Sequence, residues 1–247
     1  MSLDNPAYKL EGSGPLLVYV AGMDGTGELF FKQARLLRRR YKVATFRARD
    51  GRDFGYDDLT TDIASIIRDA GFQRAIMVGE SFGGTVALNF ALERPEMVER
   101  LVIVNSFPRF RGRIRIRLAA WLTAHLPFKR MWMARVVASS LGLFVDCVGA
   151  SDRRRFFDAV KTVRQESYVR RLELIASLDI ENRLSEISAP TLFIAGKRDL
   201  LVRSVKEANV MAALMPNAAV KILPRAGHSC LLNDEVDLSE LLTEWIG

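Results

Sequence analysis

Short apolar runs alternate along the chain with longer stretches in which apolar residues recur every three or four positions. The runs are typical of buried β-strands and the longer stretches of amphipathic α-helices. Strands are predicted at residues 16–20, 43–46, 75–78, 101–104, 191–195 and 220–223. Helices are predicted at residues 29–39, 59–70, 85–93, 205–215 and 236–245. This alternation favours an α/β fold in which helices cover both faces of a mostly parallel sheet.

The alternation stops once, between the fourth and fifth predicted strands, where the pattern is helical. Breaks in it fall near Pro127, Gly142 and Gly149, so several short helices are expected. We predict a core of residues 1–105 and 189–247 and a helical cap of residues 106–188, called the insertion below. Ligands of open parallel sheets bind beyond the carboxyl ends of the strands, and an insertion leaving after residue 104 would cover that edge.

A glycine-flanked serine lies between a predicted strand and a predicted helix. The motif is Gly79-Glu80-Ser81-Phe82-Gly83, and it has the strand-turn-helix setting of a nucleophile elbow. Small residues beside Ser81 are needed because the turn is strained and brings the strand close to the helix. We therefore predict that Ser81 is a nucleophile.

A serine hydroxyl needs a neighbouring base, and this chain has two histidines. His125 lies in a helical part of the insertion, where a packed or partly exposed side chain is the simpler interpretation. His228 follows the last predicted strand and precedes the last helix, at the edge where Ser81 is expected. His228 is the predicted base.

The carboxylate that orients the base is expected from a third strand end. Asp199 follows the strand at residues 191–195 and precedes His228, in the chain order serine, acid, histidine. The end of the preceding strand offers Asn105, which carries no negative charge. The alternative for Asp199 is a helix N-cap, a place that aspartate also suits.

The oxyanion of an acyl-transfer intermediate needs hydrogen-bond donors. We predict the backbone N–H of Phe82 as one donor and that of Met23 as the other. Met23 lies in the glycine-rich residues 21–27 after the first predicted strand, called the oxyanion loop below. Asp24 is expected to bond the backbone of this loop. The glycines match neither a dinucleotide fingerprint nor a P-loop.

The net charge of +7 is concentrated in the insertion. Residues 109–183 contain 16 Lys and Arg against 7 Asp and Glu, a balance of +9, which leaves 7 − 9 = −2 for the rest. Together with Trp121, Phe128 and Trp132, these cations suit weak peripheral contact with an anionic membrane. The simpler interpretation is a solvated outer face over an apolar inner one. No nucleic-acid module is present, so nucleic acid is not an expected partner.

Cys147 and Cys230 are widely spaced, and we interpret both as free thiols without a metal role. No run of about 18 apolar residues occurs, so no transmembrane helix is expected. The N-terminus lacks the basic start and apolar core of a secretory signal, which favours the cytoplasm. No cofactor is expected.

With Ser81, Asp199 and His228 in this order, the chain resembles the α/β-hydrolase superfamily from about residue 16 to residue 245. The resemblance implies a helical cap inserted after the sixth strand of that fold. A serine at the elbow argues against the branches with an aspartate nucleophile. The runs at residues 22–27 and 79–83 are similar to those of plant phytyl ester synthases and esterase-like bacterial relatives.

The resemblance and the three side chains predict a serine hydrolase of the carboxylesterase or lipase type. Its small-molecule substrate would be an ester with an apolar acyl group, cleaved through an acyl-enzyme. An acyltransferase that uses the same residues is the first alternative. A non-catalytic ligand-binding protein on the same fold is the second.

Overall fold

A computed structural model describes residues 7–126 and 148–247. Their strands are β1 (Tyr8–Glu11), β2 (Leu16–Val20), β3 (Lys42–Phe46), β4 (Ala75–Glu80), β5 (Val98–Val104), β6 (Thr191–Gly196) and β7 (Ala218–Leu223). The α-helices are α1 (Phe31–Leu37), α2 (Tyr56–Asp69), α3 (Phe82–Glu93), α4 (Arg113–His125), α5 (Ala150–Thr162), α6 (Gln165–Ser177), α7 (Ser204–Leu214) and α8 (Leu238–Ile246). The six predicted strands and five predicted helices are all present, with ends that differ by a few residues.

The strands form one sheet in the order β1-β3-β2-β4-β5-β6-β7. All neighbours pair in parallel except β1, which is antiparallel to β3. Sequence reasoning missed β1, because this four-residue edge strand is half-exposed and has no apolar run. The predicted fold class, a mostly parallel α/β sheet, is confirmed.

Successive residues of a strand face opposite sides of the sheet, and both sides are covered here. Val18 and Val20 of β2 belong to an apolar cluster that includes residues of α2, α3 and α7. Leu17 and Tyr19 belong to a second cluster with residues of α1 and α8. Burial on both faces explains why β2 reads as an unbroken apolar run.

The insertion leaves the sheet after β5, which is the fifth strand in chain order among the described residues. Its described part contains α4, α5, α6 and a 3₁₀ turn at Glu181–Glu186, and none of it is strand. The predicted break near Gly149 precedes α5. Those near Pro127 and Gly142, together with Phe128, Trp132 and Cys147, lie outside the described residues. No helix in the described ranges is long and apolar enough to cross a membrane.

Several arginines of the insertion form ion pairs with nearby acidic residues. Arg113 lies 2.8 Å from Asp179, and Arg111 lies 3.1 Å from Glu181 and 3.3 Å from Glu207. These pairs favour the simpler interpretation of a solvated outer face. Exposed apolar side chains follow on α4, namely Ile114, Leu118 and Trp121. Membrane contact through this face stays a prediction.

A buried glutamine joins α1 to the segment between His228 and α8. The Nε2 of Gln33 donates to the carbonyls of Leu231 and Val236, each at 2.8 Å. Its Oε1 accepts from the N–H of Leu238 at 2.9 Å. The side chain is fully buried, so the three backbone groups have no access to water at this point.

We expect Gln33→Met to lower the free energy of unfolding by about 3 kcal/mol, since it leaves buried polar groups unpaired at about 1–3 kcal/mol each. Urea unfolding measures this. The same substitution at exposed Gln73 is the control and should change stability by less than about 0.5 kcal/mol. Equal effects at the two positions would contradict the role given to Gln33.

Candidate active site

Ser81 occupies the sharp turn between β4 and α3. Its backbone has φ 53° and ψ −116°, an unusual conformation for a residue other than glycine. The N–H of Ser81 donates to the carbonyl of Val104 at 2.9 Å. The carbonyl of Ser81 accepts from the Ser106 hydroxyl at 2.7 Å and from the Gly84 N–H at 3.0 Å. Bonds from the neighbouring strand end and from α3 therefore hold the turn.

Glycine is required in this turn because backbones approach closely. A Cβ atom at Gly83 would lie 2.0 Å from the carbonyl oxygen of Val20, and one at Gly79 would lie 2.5 Å from that of Gly83. Neither contact can be relieved by rotating a side chain. The glycines let α3 lie directly against β2 and β4, as the motif predicts.

The three predicted catalytic side chains lie together at the carboxyl edge of the sheet. His228 Nε2 is 2.9 Å from Ser81 Oγ, and His228 Nδ1 is 2.8 Å from Asp199 Oδ2. The residues come from three separate loops, and all three are buried. One imidazole thus bridges a hydroxyl and a carboxylate.

Asp199 also accepts bonds from its own loop. Its Oδ1 accepts from the N–H groups of Leu201 at 2.9 Å and Val202 at 3.2 Å, and its Oδ2 accepts from the hydroxyl of Ser204. Burial opposes the negative charge, but the bonds from His228, Ser204 and Leu201 outweigh burial and hold the pKa of Asp199 below its usual value. Asp199 is therefore a fixed anion at neutral pH that faces the imidazole.

His125, the other histidine, lies on the exposed side of α4. Its Nδ1 is 2.8 Å from the carbonyl of Trp121, one turn earlier, and the two rings stack with centroids 4.8 Å apart. These contacts hold the His125 side chain on the surface of α4.

Asn105 ties the acid loop to the histidine loop, a role that the sequence did not indicate. Its Nδ2 donates to the carbonyls of Gly227 at 3.0 Å and His228 at 2.5 Å, and its Oδ1 accepts from the N–H of Gly196 at 2.8 Å. The backbone of Asn105 has φ 46°, a region in which asparagine is enriched. The uncharged side chain at this strand end donates two hydrogen bonds that a carboxylate could not donate.

The oxyanion loop passes directly beside the serine. A Cβ atom at Gly22 would lie 3.5 Å from Ser81 Cβ. Asp24 Oδ2 accepts from the N–H of Thr26 at 2.9 Å and from its hydroxyl at 2.6 Å, as expected for an aspartate that shapes its own turn. Phe82 is the first residue of α3, where N–H groups lack helical acceptors. Gly22 of the oxyanion loop and Phe82 of α3 thus lie beside Ser81, and the donor roles of Met23 and Phe82 stay a prediction.

Glu80, the variable residue of the motif, has an unusual environment. The hydroxyl of Tyr19 donates to Glu80 Oε2 at 2.7 Å, and the Tyr19 ring stacks on Phe30 with centroids 3.8 Å apart. Burial raises the pKa of Glu80 to about 7, and the nearby charge of Asp24 acts in the same direction. No sequence signal reveals this, because the shift depends on residues far apart in the chain.

Comparisons with known proteins identify the family of the chain. The model of a family described as "Alpha/beta hydrolase family" matches residues 17–240. A relative from Stutzerimonas stutzeri, named "Putative carbamate hydrolase RutD", is 26% identical over 96% of this chain and 93% of its own length.

Two solved structures share the fold. An esterase from Exiguobacterium antarcticum superposes with a TM-score of 0.84 at 18% identity, covering 97% of this chain and 94% of its own. A hydrolase from Pseudomonas aeruginosa PA01 superposes with a TM-score of 0.83 at 20% identity, covering 97% and 91%. At these identities the likeness concerns the architecture alone.

Glu80 should make stability depend on pH. Its pKa is near 7 in the folded protein and near 4.5 when unfolded, so between these values the folded state keeps a proton that the unfolded state loses. The stabilising contribution is complete below about pH 4.5 and is lost as pH rises through 7. Relative to wild type, Glu80→Gln should therefore gain free energy of unfolding from pH 5 to pH 8.

Urea unfolding at several pH values checks this. Glu96→Gln, at an exposed position, is the control and should run parallel to wild type. A Glu80→Gln curve that also runs parallel would refute the buried, proton-retaining carboxyl.

Proposed function

The chain is a hydrolase of the α/β-hydrolase family, and we propose that it cleaves carboxylic esters with apolar acyl groups through Ser81, His228 and Asp199. The observation that carries the proposal is the bridge of His228 between Ser81 Oγ at 2.9 Å and Asp199 Oδ2 at 2.8 Å. A serine hydroxyl becomes a nucleophile when such a base can accept its proton.

In the first half of the reaction, Ser81 Oγ attacks the ester carbonyl while its proton moves to His228 Nε2. Asp199 accepts the Nδ1–H bond, which fixes the tautomer and stabilises the imidazolium. The backbone N–H groups of Phe82 and Met23 donate to the oxyanion of the tetrahedral intermediate. The intermediate collapses, His228 protonates the departing alkoxide, and an alcohol leaves.

In the second half, water attacks the acyl-enzyme and gives its proton to His228 Nε2. The second tetrahedral intermediate breaks the bond to Ser81 Oγ, which takes back the proton from His228 as the acid is released. Apart from the substrate and water, all groups used in these steps belong to the chain, so the proposed mechanism uses no cofactor.

The preference for an apolar acyl group rests on the side chains around the serine. Met23, Phe82 and Phe107 belong to, or pack against, the apolar cluster on one face of the sheet. Phe82 directly follows Ser81. Phe107 directly follows Ser106, whose hydroxyl donates to the carbonyl of Ser81. Phe82 and Phe107 are buried, whereas Met23 is partly exposed, so a hydrocarbon chain that covers Met23 would exchange water for apolar neighbours.

Carbamate hydrolysis is the second candidate. The relative named for it matches nearly the whole chain, and a carbamate carbonyl can be attacked by the same serine. Acyl transfer to an alcohol remains an alternative outcome for the same acyl-enzyme, with the alcohol in place of water.

The first test addresses the three side chains. An alkyl fluorophosphonate should add to Ser81 of the wild type, and Ser81→Ala should remain unlabelled. Asp199→Asn should lower kcat on an ester by about 10⁴-fold, and His228→Ala by about 10⁶-fold. His125→Ala, the matched histidine control, should stay within about twofold. A folded wild type whose Ser81 is not labelled would contradict the proposal.

The second test addresses the substrate. On p-nitrophenyl esters, we expect kcat/KM to rise from acetyl to octanoyl, because each buried CH₂ contributes about 0.8 kcal/mol. A carbamate with the same leaving group is the comparison. Faster turnover of the carbamate than of every ester would reassign the activity. Addition of an alcohol tests acyl transfer. Transfer is supported if the fraction of product formed as the new ester exceeds the mole fraction of the alcohol in the solvent.

A further inference from the structure

Arg171 of α6 is one of the largest fully buried side chains in the described residues, with 1% of its surface exposed. It belongs to the insertion, and its guanidinium reaches the oxyanion loop of the core. Nη1 donates to the carbonyls of Met23 at 3.0 Å and Asp24 at 3.2 Å, and Nη2 donates to the carbonyl of Arg49 at 3.3 Å. A charged side chain of the insertion is thus bonded to backbone carbonyls of the core.

Burial of this cation is costly. Burial lowers the pKa of Arg171, against the opposing influence of Asp24 and Asp50. Its Nε is buried without a hydrogen-bond partner among the described residues. A hydrocarbon side chain of similar volume would fill the space without burying a charge. What the guanidinium adds is a rigid set of donors on two consecutive carbonyls of the oxyanion loop.

The oxyanion loop is shaped to fit the guanidinium. Gly25 has φ +64°, and a Cβ atom there would lie 2.3 Å from Arg171 Nη2. The Gly25 N–H donates to the carbonyl of Gly22 at 3.1 Å, and the Gly25 carbonyl accepts from the N–H of Ala48 at 2.8 Å. The turn that contains Met23 is therefore closed on one side by the core and on the other by Arg171.

Two other residues of α6 bond a different loop of the core, at residues 51–54. Ser167 Oγ accepts from the N–H of Gly51 at 2.9 Å, and Arg170 Nε donates to the carbonyl of Phe54 at 2.6 Å. Neither bond involves the oxyanion loop. Docking of α6 and support of the oxyanion loop can therefore be separated by substitution.

We propose that Arg171 is a positioning residue for the oxyanion hole. By holding the carbonyls of Met23 and Asp24 toward the insertion, it fixes the peptide units that follow the Met23 N–H and keeps that donor directed at Ser81. The inference rests on the proposed function. Three glycines give the oxyanion loop many other conformations. A displaced donor would weaken binding of the transition state more than binding of the substrate, so its displacement lowers kcat and leaves KM nearly unchanged.

The test compares Arg171→Met and Arg171→Lys with Arg170→Met, a control on the same helix. For Arg171→Met we expect kcat on an ester to fall about 10- to 100-fold with KM within threefold of wild type, because full loss of an oxyanion donor costs about 10²–10³. Arg171→Lys should fall between wild type and Arg171→Met. Arg170→Met should keep both constants within threefold of wild type.

A transition-state analogue separates positioning from general damage. An alkylboronic acid forms a tetrahedral adduct on Ser81, so its inhibition constant should rise by the same factor as kcat falls across the variants. Thermal unfolding identifies folded variants, and Arg171→Lys decides the matter if Arg171→Met does not fold.

Two results would overturn the inference: a kcat for folded Arg171 variants equal to that of Arg170→Met, or a loss of kcat without weaker boronate binding. Failure of the proposed function has a different signature. In that case the wild type itself is neither labelled by fluorophosphonate nor inhibited by the boronate.

Discussion

The backbone conformation of Ser81 is the constraint on which the rest of the site depends. At φ 53° this residue is strained, and the strain is offset by bonds to Val104, Ser106 and Gly84. Those bonds require β5 to lie beside β4 and α3 to start immediately, and α3 can start there only because Gly83 lets it touch the backbone of Val20. Sheet order, helix packing and the position of the Ser81 hydroxyl therefore depend on one another.

The sequence predicted much of this because the relevant signals are local. Strands buried on both faces, such as β2 and β4, read as unbroken apolar runs, and the elbow carries its own glycines. His228 and Asp199 could be chosen because histidines are few and both residues follow predicted strands. The structure brings these three side chains together, and their catalytic roles stay a proposal.

The features that sequence reasoning missed depend on contacts between distant residues. The edge strand β1 is defined by its pairing with β3, not by apolar residues. Arg171 looked like one of sixteen cations in a basic segment, but it is fully buried against carbonyls 147 and 148 positions away. Glu80 looked like a variable motif position, and only the fold places Tyr19 against it. Charge along a sequence does not reveal which charges are buried.

The amide of Asn105 bears on which strand end can present a carboxylate to His228. The end of β5 and the end of β6 are two places from which a carboxylate can approach His228, and here Asp199 occupies the second. The first is filled by an amide whose N–H₂ holds the carbonyls of Gly227 and His228. A carboxylate introduced there would repel both oxygens, and one removed from position 199 would leave the imidazole unsupported. Asn105→Asp would disturb one side of His228 and Asp199→Asn the other, so the two strand ends have different tasks and cannot exchange them by a single substitution.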